Sequence, residues 1–94
     1  MKFGNESETL EFKKSTSEIK EACASITAML NKHGVGTVYF GINSKSIVVG
    51  QDVEETTLRE VSQRIAHAIK PQIFPTITKE EIDNKAAVKV EVMK

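Results

Sequence analysis

The sequence predicts an α/β fold of the α+β type, in which two helices pack on a mixed or mostly antiparallel sheet. Two stretches carry apolar residues at spacings of three and four, which is typical of amphipathic helices. The other apolar runs are short and mostly alternate with polar residues, which is typical of strands. The predicted order is β-α-β-β-α-β-β. With 94 residues the chain has room for one core, so residues 1–94 are expected to form a single domain.

The first predicted strand covers residues 8–13, where polar and apolar side chains alternate. Leu10 and Phe12 fall on one face of this strand, and Glu11 and Lys13 fall on the other. The pattern therefore predicts a strand with one buried face.

The first predicted helix covers residues 16–32. Ser15 followed by Glu18 fits a capping box at its start, and Gly34 stands where a helix commonly ends. Its apolar positions recur at helical spacing: Ile19, Ala22, Cys23, Ile26, Met29 and Leu30. This spacing predicts that Cys23 is a buried core residue.

A β-hairpin is predicted over residues 37–49. Apolar or small residues at 38–42 indicate a central strand covered on both faces, and a polar turn follows at 43–46. The short apolar run 47–49 ends at Gly50 and is expected to be the second strand of the hairpin.

The second predicted helix covers residues 54–70 and ends before Pro71. An irregular extended stretch follows at 73–82, and the proline within it favours an edge or bent strand. After a turn, alternating valines at 88–92 predict the last strand.

The composition excludes several function classes. Thirteen Lys and Arg balance thirteen Asp and Glu, so the chain is not a strongly basic module, and nucleic-acid binding would need its charge gathered on one face.

Cys23 is the only cysteine, which excludes an internal disulfide and favours a reducing compartment. The sequence has no membrane-length apolar run, and we expect a cytoplasmic protein with no membrane partner. Gly34 and Gly36 follow a helix rather than open one, which argues against a nucleotide-binding loop.

Lysines near the first helix and the hairpin are the candidate phosphate-binding residues. If they converge in space, they make a phosphate-contacting patch, whereas dispersed lysines would only solvate the surface. The candidates are Lys13, Lys14 and Lys45, followed by Lys20 and Lys32. Glu6, Glu8 and Glu11 form an acidic cluster that could hold a divalent cation, although solvated strands commonly carry carboxylates too.

Several motifs recur along the chain in a characteristic order. They are Glu6, the Glu11-Phe12-Lys13 run, the Gly34 and Gly36 turn, residues 37–42, the turn and short strand 43–50, Ile73-Phe74-Pro75 and the closing valine-rich strand. In this order and spacing they resemble the Schlafen AlbA_2 domain, a family also labelled divergent AAA-4, and the resemblance covers almost the whole chain. The usual Gly-Gly pair is interrupted by Val35.

The resemblance implies a nucleic-acid-binding domain of a bacterial-type transcriptional regulator, of which this chain is expected to be a fragment. Some Schlafen relatives are ribonucleases that depend on Mg²⁺ or Mn²⁺, and Glu6 and Glu11 match their first two acidic residues. Their third carboxylate has no counterpart at residues 43–46, which are Asn-Ser-Lys-Ser.

Three functions therefore stand as hypotheses. The leading one is DNA or RNA binding through the candidate lysines, without catalysis and without a cofactor. The second is a metal-dependent ribonuclease that uses Glu6 and Glu11. The third is a protein-interaction or homodimerisation module, since small domains can pair through exposed sheet edges.

Overall fold

The computed structural model describes residues 2–94 and contains two helices and a four-stranded mixed sheet, which confirms the α+β class. The elements in chain order are β1 (Leu10–Lys13), a short 3₁₀ turn (Thr16–Glu18), α1 (Ile19–His33), β2 (Val35–Phe40), α2 (Glu55–Ala68), β3 (Thr76–Ile82) and β4 (Lys85–Met93). Within residues 2–94, no helix has the length and apolar character needed to cross a membrane.

The strand order in the sheet is β1-β2-β4-β3. β1 and β2 are parallel, whereas β4 runs antiparallel to both β2 and β3. Parallel neighbours need a crossover connection, and α1 supplies it between β1 and β2. The carboxyl ends of β1 and β2 therefore lie at the same edge of the sheet.

Both helices pack on one face of the sheet. The buried residues there come from alternate positions of β2 and β4 and from the apolar stripes of the helices. Cys23 is only 8% exposed, as its helical spacing predicts, and this burial raises the pKa of its thiol. The largest buried side chains of this face are Phe40, Ile26, Ile65, Val38, Val88 and Val90.

A smaller apolar cluster covers part of the opposite face. The rings of Phe3, Phe12 and Tyr39 meet edge to face, with centroids 4.9 Å apart for Phe3 and Tyr39 and 5.7 Å apart for Phe3 and Phe12. Ile42 and Val48 are buried in the same cluster. The segment that follows β2 thus folds back over the sheet.

The predicted hairpin over residues 37–49 is only half correct. Its first strand is β2, but residues 47–49 form no strand and contribute only single bridges, from Ile47 to Lys2 and from Val48 to Ile42. The reason is that β2 already has β1 on one side and β4 on the other, so neither of its edges is free for a hairpin partner.

The other strand predictions agree with the structure. The stretch 73–82 contains the edge strand β3, which starts immediately after Pro75. The last strand is longer than the 88–92 predicted, because β4 pairs along its whole length with β3 or β2.

Local chemistry sets the start of the 3₁₀ turn before α1 and the end of α1, whereas α1 itself begins at Ile19, three residues after the predicted start, without a side-chain cap. The Ser15 hydroxyl accepts a hydrogen bond from the Ser17 backbone N–H at 3.2 Å, while the Glu18 carboxylate accepts one from the Lys14 N–H at 2.8 Å. The capping contacts therefore run from Lys14 to Glu18, one residue more than the predicted capping box of Ser15 to Glu18. At the other end Gly34 has a φ of 77°, a conformation that glycine adopts readily.

Candidate nucleic-acid interface

A groove lies where the parallel strands β1 and β2 end. It is lined by Phe12, Lys13, Lys14, Glu18, Asn43 and Ser44, and we refer to it as the lysine groove. Exposed Lys45 follows Ser44 in the same turn. Three of the five candidate lysines are thus gathered at one edge of the sheet, although more than thirty residues of chain separate the first two from the third.

Backbone hydrogen bonds hold the end of β1 against the chain that leaves β2. The carbonyl oxygen of Lys13 accepts from the N–H groups of Gly41 and Ile42, at 2.8 and 3.2 Å. In open sheets, ligands commonly bind outside the carboxyl ends of parallel strands, because the chain turns away there and leaves a crevice. The lysine groove occupies this position.

The turn over residues 43–46 has a defined conformation. The Asn43 side-chain oxygen accepts hydrogen bonds from the N–H groups of Lys45 (2.9 Å) and Ile47 (3.0 Å), and the Asn43 carbonyl accepts one from Ser46 (2.9 Å). Ser46 is buried with a φ of 64°. This Asx turn fixes the backbone from which the Lys45 side chain extends.

The lysine side chains at the groove differ in how accessible they are to a ligand. The Lys13 ammonium lies 3.6 Å from a Glu11 carboxylate oxygen, and its side chain is only 20% exposed. Lys14 and Lys45 are both exposed. The Glu18 carboxylate is occupied in part by the Lys14 backbone N–H. We therefore expect Lys14 and Lys45 to be the more accessible cations and Lys13 to be partly screened.

Lys20 and Lys32 lie at opposite ends of α1. Lys20 is in the first turn, close to Glu18 of the lysine groove. Lys32 follows twelve residues later, which places it about 18 Å farther along the helix axis. Its ammonium contacts a Glu8 carboxylate oxygen at 2.6 Å. Neither Lys20 nor Lys32 lines the groove, and Lys32 lies at the far end of α1 from it.

The Glu8 contact should give the fold a small pH dependence. The Lys32 hydrogen bond, and then the charge of His33, lower the pKa of Glu8 in the folded protein. The stabilisation of the fold by the ionised Glu8 carboxylate is therefore complete above the ordinary carboxylate pKa, and it is lost as pH falls through the lower folded-state pKa. In urea titrations over acidic pH, we expect the stability of wild type to fall more steeply than that of Glu8→Gln. Added salt should reduce the difference, since the pair is exposed. Identical pH profiles would contradict this assignment.

The two acidic residues of the ribonuclease hypothesis occupy different environments. A Glu6 carboxylate oxygen accepts a hydrogen bond from the Phe12 backbone N–H at 2.9 Å, on the free edge of β1. Glu11 pairs with Val38 and therefore faces the helices, and its Oε2 atom is buried without a hydrogen-bond donor. Among residues 2–94, no three His, Cys, Asp or Glu side chains come together as a metal site. The ribonuclease role of Glu6 and Glu11, with its Mg²⁺ or Mn²⁺, stays a prediction.

The hydrogen bond to Phe12 gives Glu6 a structural role that mutation can separate from catalysis. Glu6→Ala removes the acceptor and should lower the free energy of unfolding by about 1 kcal/mol. Glu6→Gln keeps an oxygen acceptor and should remain close to wild type in urea denaturation. Under the ribonuclease hypothesis, the same Glu6→Gln change would abolish RNA cleavage with Mg²⁺ or Mn²⁺. Equal destabilisation by both variants would contradict the structural role.

Two residues with structural hydrogen bonds were not among the sequence candidates: Asn43 lines the groove, whereas Gln51 lies outside it. Asn43 organises the turn, and its position at the start of a polar cluster was the available signal. The Gln51 side-chain oxygen accepts from the Thr16 N–H at 2.8 Å, and the Gln51 backbone N–H donates to the Ala86 carbonyl at 2.9 Å, which joins the 3₁₀ turn before α1 to β4. No local pattern indicates this contact, because its partners are 35 residues away on either side.

One known protein family matches the chain over almost its whole length. The Schlafen, AlbA_2 family model matches residues 6–94, which is all of the chain except its first five residues. A search of curated proteins found no match. The family match includes both acidic residues Glu6 and Glu11 and all five candidate lysines, and it is compatible with a nucleic-acid-binding domain. Because the match spans far more than half of the sequence, the chain belongs to the Schlafen AlbA_2 family.

Proposed function

We propose that the lysine groove binds the phosphate backbone of a nucleic acid, and that the chain serves as the DNA-binding domain of a transcriptional regulator. The observation that carries the proposal is that Lys13 and Lys14 line the groove where β1 and β2 end, and that exposed Lys45 follows its lining residue Ser44. Family membership supports it, since the family is compatible with nucleic-acid binding.

The mechanism is electrostatic positioning. Lysine ammonium groups neutralise phosphates and release condensed counterions, which makes the affinity depend on salt. Because the chain has no net charge, attraction at long range is weak and the local cluster must supply the binding energy. With three phosphate contacts at about −0.9 each, log K should fall against log salt with a slope of about −2.7 on duplex DNA.

Fluorescence anisotropy with labelled duplex DNA tests the proposal directly. Raising the salt from about 50 to about 200 mM should weaken binding about 40-fold if three phosphates are contacted. Parallel titrations with RNA and with Mg²⁺ or Mn²⁺, followed by gel analysis of the nucleic acid, would detect cleavage. Absence of binding to any nucleic acid at low salt would overturn the proposed function.

The alternative of self-association is favoured by one observation. Val35, Phe74 and Met93 are exposed at 45%, 87% and 73%, and all three line a depression on the helix-free face. The depression also includes Thr76, the first residue of the free edge strand β3. A second copy that buries this patch would remove apolar surface from water.

We expect Phe74→Ser to test this alternative without disturbing the core, because the ring is almost fully exposed. If the patch joins two copies, wild type should show a mass that rises with concentration in light scattering, and Phe74→Ser should remain a monomer. A monomeric wild type at high concentration would exclude self-association through this surface.

A further inference from the structure

We propose that the lysine groove recognises duplex nucleic acid through its phosphates alone, without reading base sequence and without preferring single strands. This inference rests on the proposed function and adds the class of nucleic acid that the site takes. It follows from which groups of the groove are free to contact a ligand and which are already occupied.

Within residues 2–94, the groove offers no aromatic ring on which a base could stack. Phe12 lines the groove, but it is only 4% exposed and its ring packs against Phe3 and Tyr39 at 5.7 and 6.3 Å. Sequence-tolerant binding of single strands relies on exposed rings that stack on successive bases. The groove therefore lacks the main source of single-strand affinity.

The exposed ring of Phe74 is too far away to serve this purpose. It lines a depression with Val35, the first residue of β2, whereas the groove lies beyond Phe40, the last residue of β2. Five residue steps along the strand separate the two positions by about 17 Å. A base held at the lysines would not reach this ring.

Two polar side chains of the groove, those of Asn43 and Glu18, are poorly placed to read base edges, and the exposed Ser44 hydroxyl can contact any base and so discriminates little. Asn43 would need its side-chain oxygen to contact adenine, but that oxygen already accepts two backbone N–H groups. The Glu18 carboxylate already accepts from the Lys14 backbone. The remaining cations are lysines, which act as flexible point charges without the fixed fork that arginine presents to guanine.

A site that contacts phosphates without stacking on bases favours the form of nucleic acid with the highest density of phosphates. Duplex DNA carries one charge per about 1.7 Å of axis, and its counterion release per contact exceeds that of a single strand, at about 0.9 against 0.7. Lys13 and Lys14 line the groove and Lys45 follows its lining residue Ser44, so all three stand at the sheet edge that a duplex backbone would approach. These properties point to sequence-independent binding of duplexes.

Competition binding on the whole chain tests the inference. A labelled duplex is displaced by unlabelled duplexes of unrelated sequence, by either strand alone, and by a random-sequence duplex pool whose bound fraction is sequenced. The duplexes should compete within about twofold, since a single misread base pair would cost about 1–3 kcal/mol. The selected pool should show no enriched motif, and the single strands should compete less well.

Two variants sharpen the test. Lys14→Ala should weaken duplex binding, whereas Phe74→Ser should leave both duplex and single-strand binding unchanged. Tighter binding of single strands, an enriched motif in the selected pool, or loss of affinity in Phe74→Ser would overturn the inference while leaving the proposed function intact. Failure of every nucleic acid to bind at low salt would instead overturn the proposed function.

Discussion

Replacing Lys13, Lys14 and Lys45 together by alanine is expected to weaken duplex binding about 100-fold. In the proposed complex the three ammonium groups contact phosphates near the surface, where each ion pair contributes at most about 1 kcal/mol. A total of about 2.7 kcal/mol corresponds to this change in Kd. The slope of log K against log salt should fall from about −2.7 towards zero, because the counterions are no longer released. Anisotropy titrations at several salt concentrations measure both quantities.

A matched control uses three lysines at the opposite end of α1. Lys32 lies in the last turn of α1, and Lys70 and Lys94 line a small pocket with Leu30 near the same end. Changing these three residues to alanine alters the net charge by the same amount. The control should lose little affinity and keep most of its salt slope. If the two triple variants weaken binding equally, the groove is not the site and only the overall charge matters.

Each variant must be shown to fold before its affinity is interpreted. The side chains of Lys14 and Lys45 are exposed, so their removal should change stability by less than about 0.5 kcal/mol. Lys13 is more buried and faces Glu11 at 3.6 Å, so its removal leaves a carboxylate without its cation. Urea denaturation separates this effect from loss of phosphate contact, and the Lys14 and Lys45 double variant avoids it altogether.

The local elements of this fold could be predicted from the sequence, but the pairing of its strands could not. Apolar spacing and the glycine at position 34 were enough to place α1, because a helix is built from contacts three and four residues apart. Residues 47–49 look like a strand by the same local criteria. They fail to form one because β4, from the far end of the chain, occupies the edge of β2 that a hairpin would need.

The candidate site shows the same limit. Lys13 and Lys14 are neighbours in sequence, but their proximity to the turn that carries Lys45 depends on β1 lying parallel to β2. Lys32 was a secondary candidate in the sequence, and α1 carries it to the other end of the domain. The role of Glu6 was equally hidden, since its partner is a backbone N–H on the free edge of β1. Side-chain types alone do not reveal such contacts.

Gly41→Ala is expected to lower both stability and affinity, because this glycine redirects the chain from β2 into the turn that carries Lys45. Its N–H donates to Lys13, and its carbonyl accepts from the N–H groups of Val49 and Gly50 at 2.8 and 2.9 Å. Its φ is 114°, and a Cβ atom would lie 3.2 Å from the Cβ and 3.3 Å from the Cα of Ala87. Strain and crowding together should cost about 2–5 kcal/mol.

Gly34→Ala is the matched control for Gly41→Ala. Gly34 also has a positive φ, of 77°, but a Cβ there would meet nothing closer than 4.0 Å. It should therefore show the conformational cost alone, about 1–2 kcal/mol, with unchanged duplex binding.

In Gly41→Ala the displaced turn should move Lys45 away from the groove. The slope of log K against log salt would then become shallower by about 0.9, which is the contribution of one phosphate contact. Urea midpoints and salt-dependent anisotropy on the folded variants measure the two effects separately. A Gly41→Ala protein that loses stability but keeps the full salt slope would show that Lys45 reaches the ligand from more than one turn conformation. Equal stability of Gly41→Ala and Gly34→Ala would show that the chain relaxes around Ala87, and that the turn does not depend on close packing against β4.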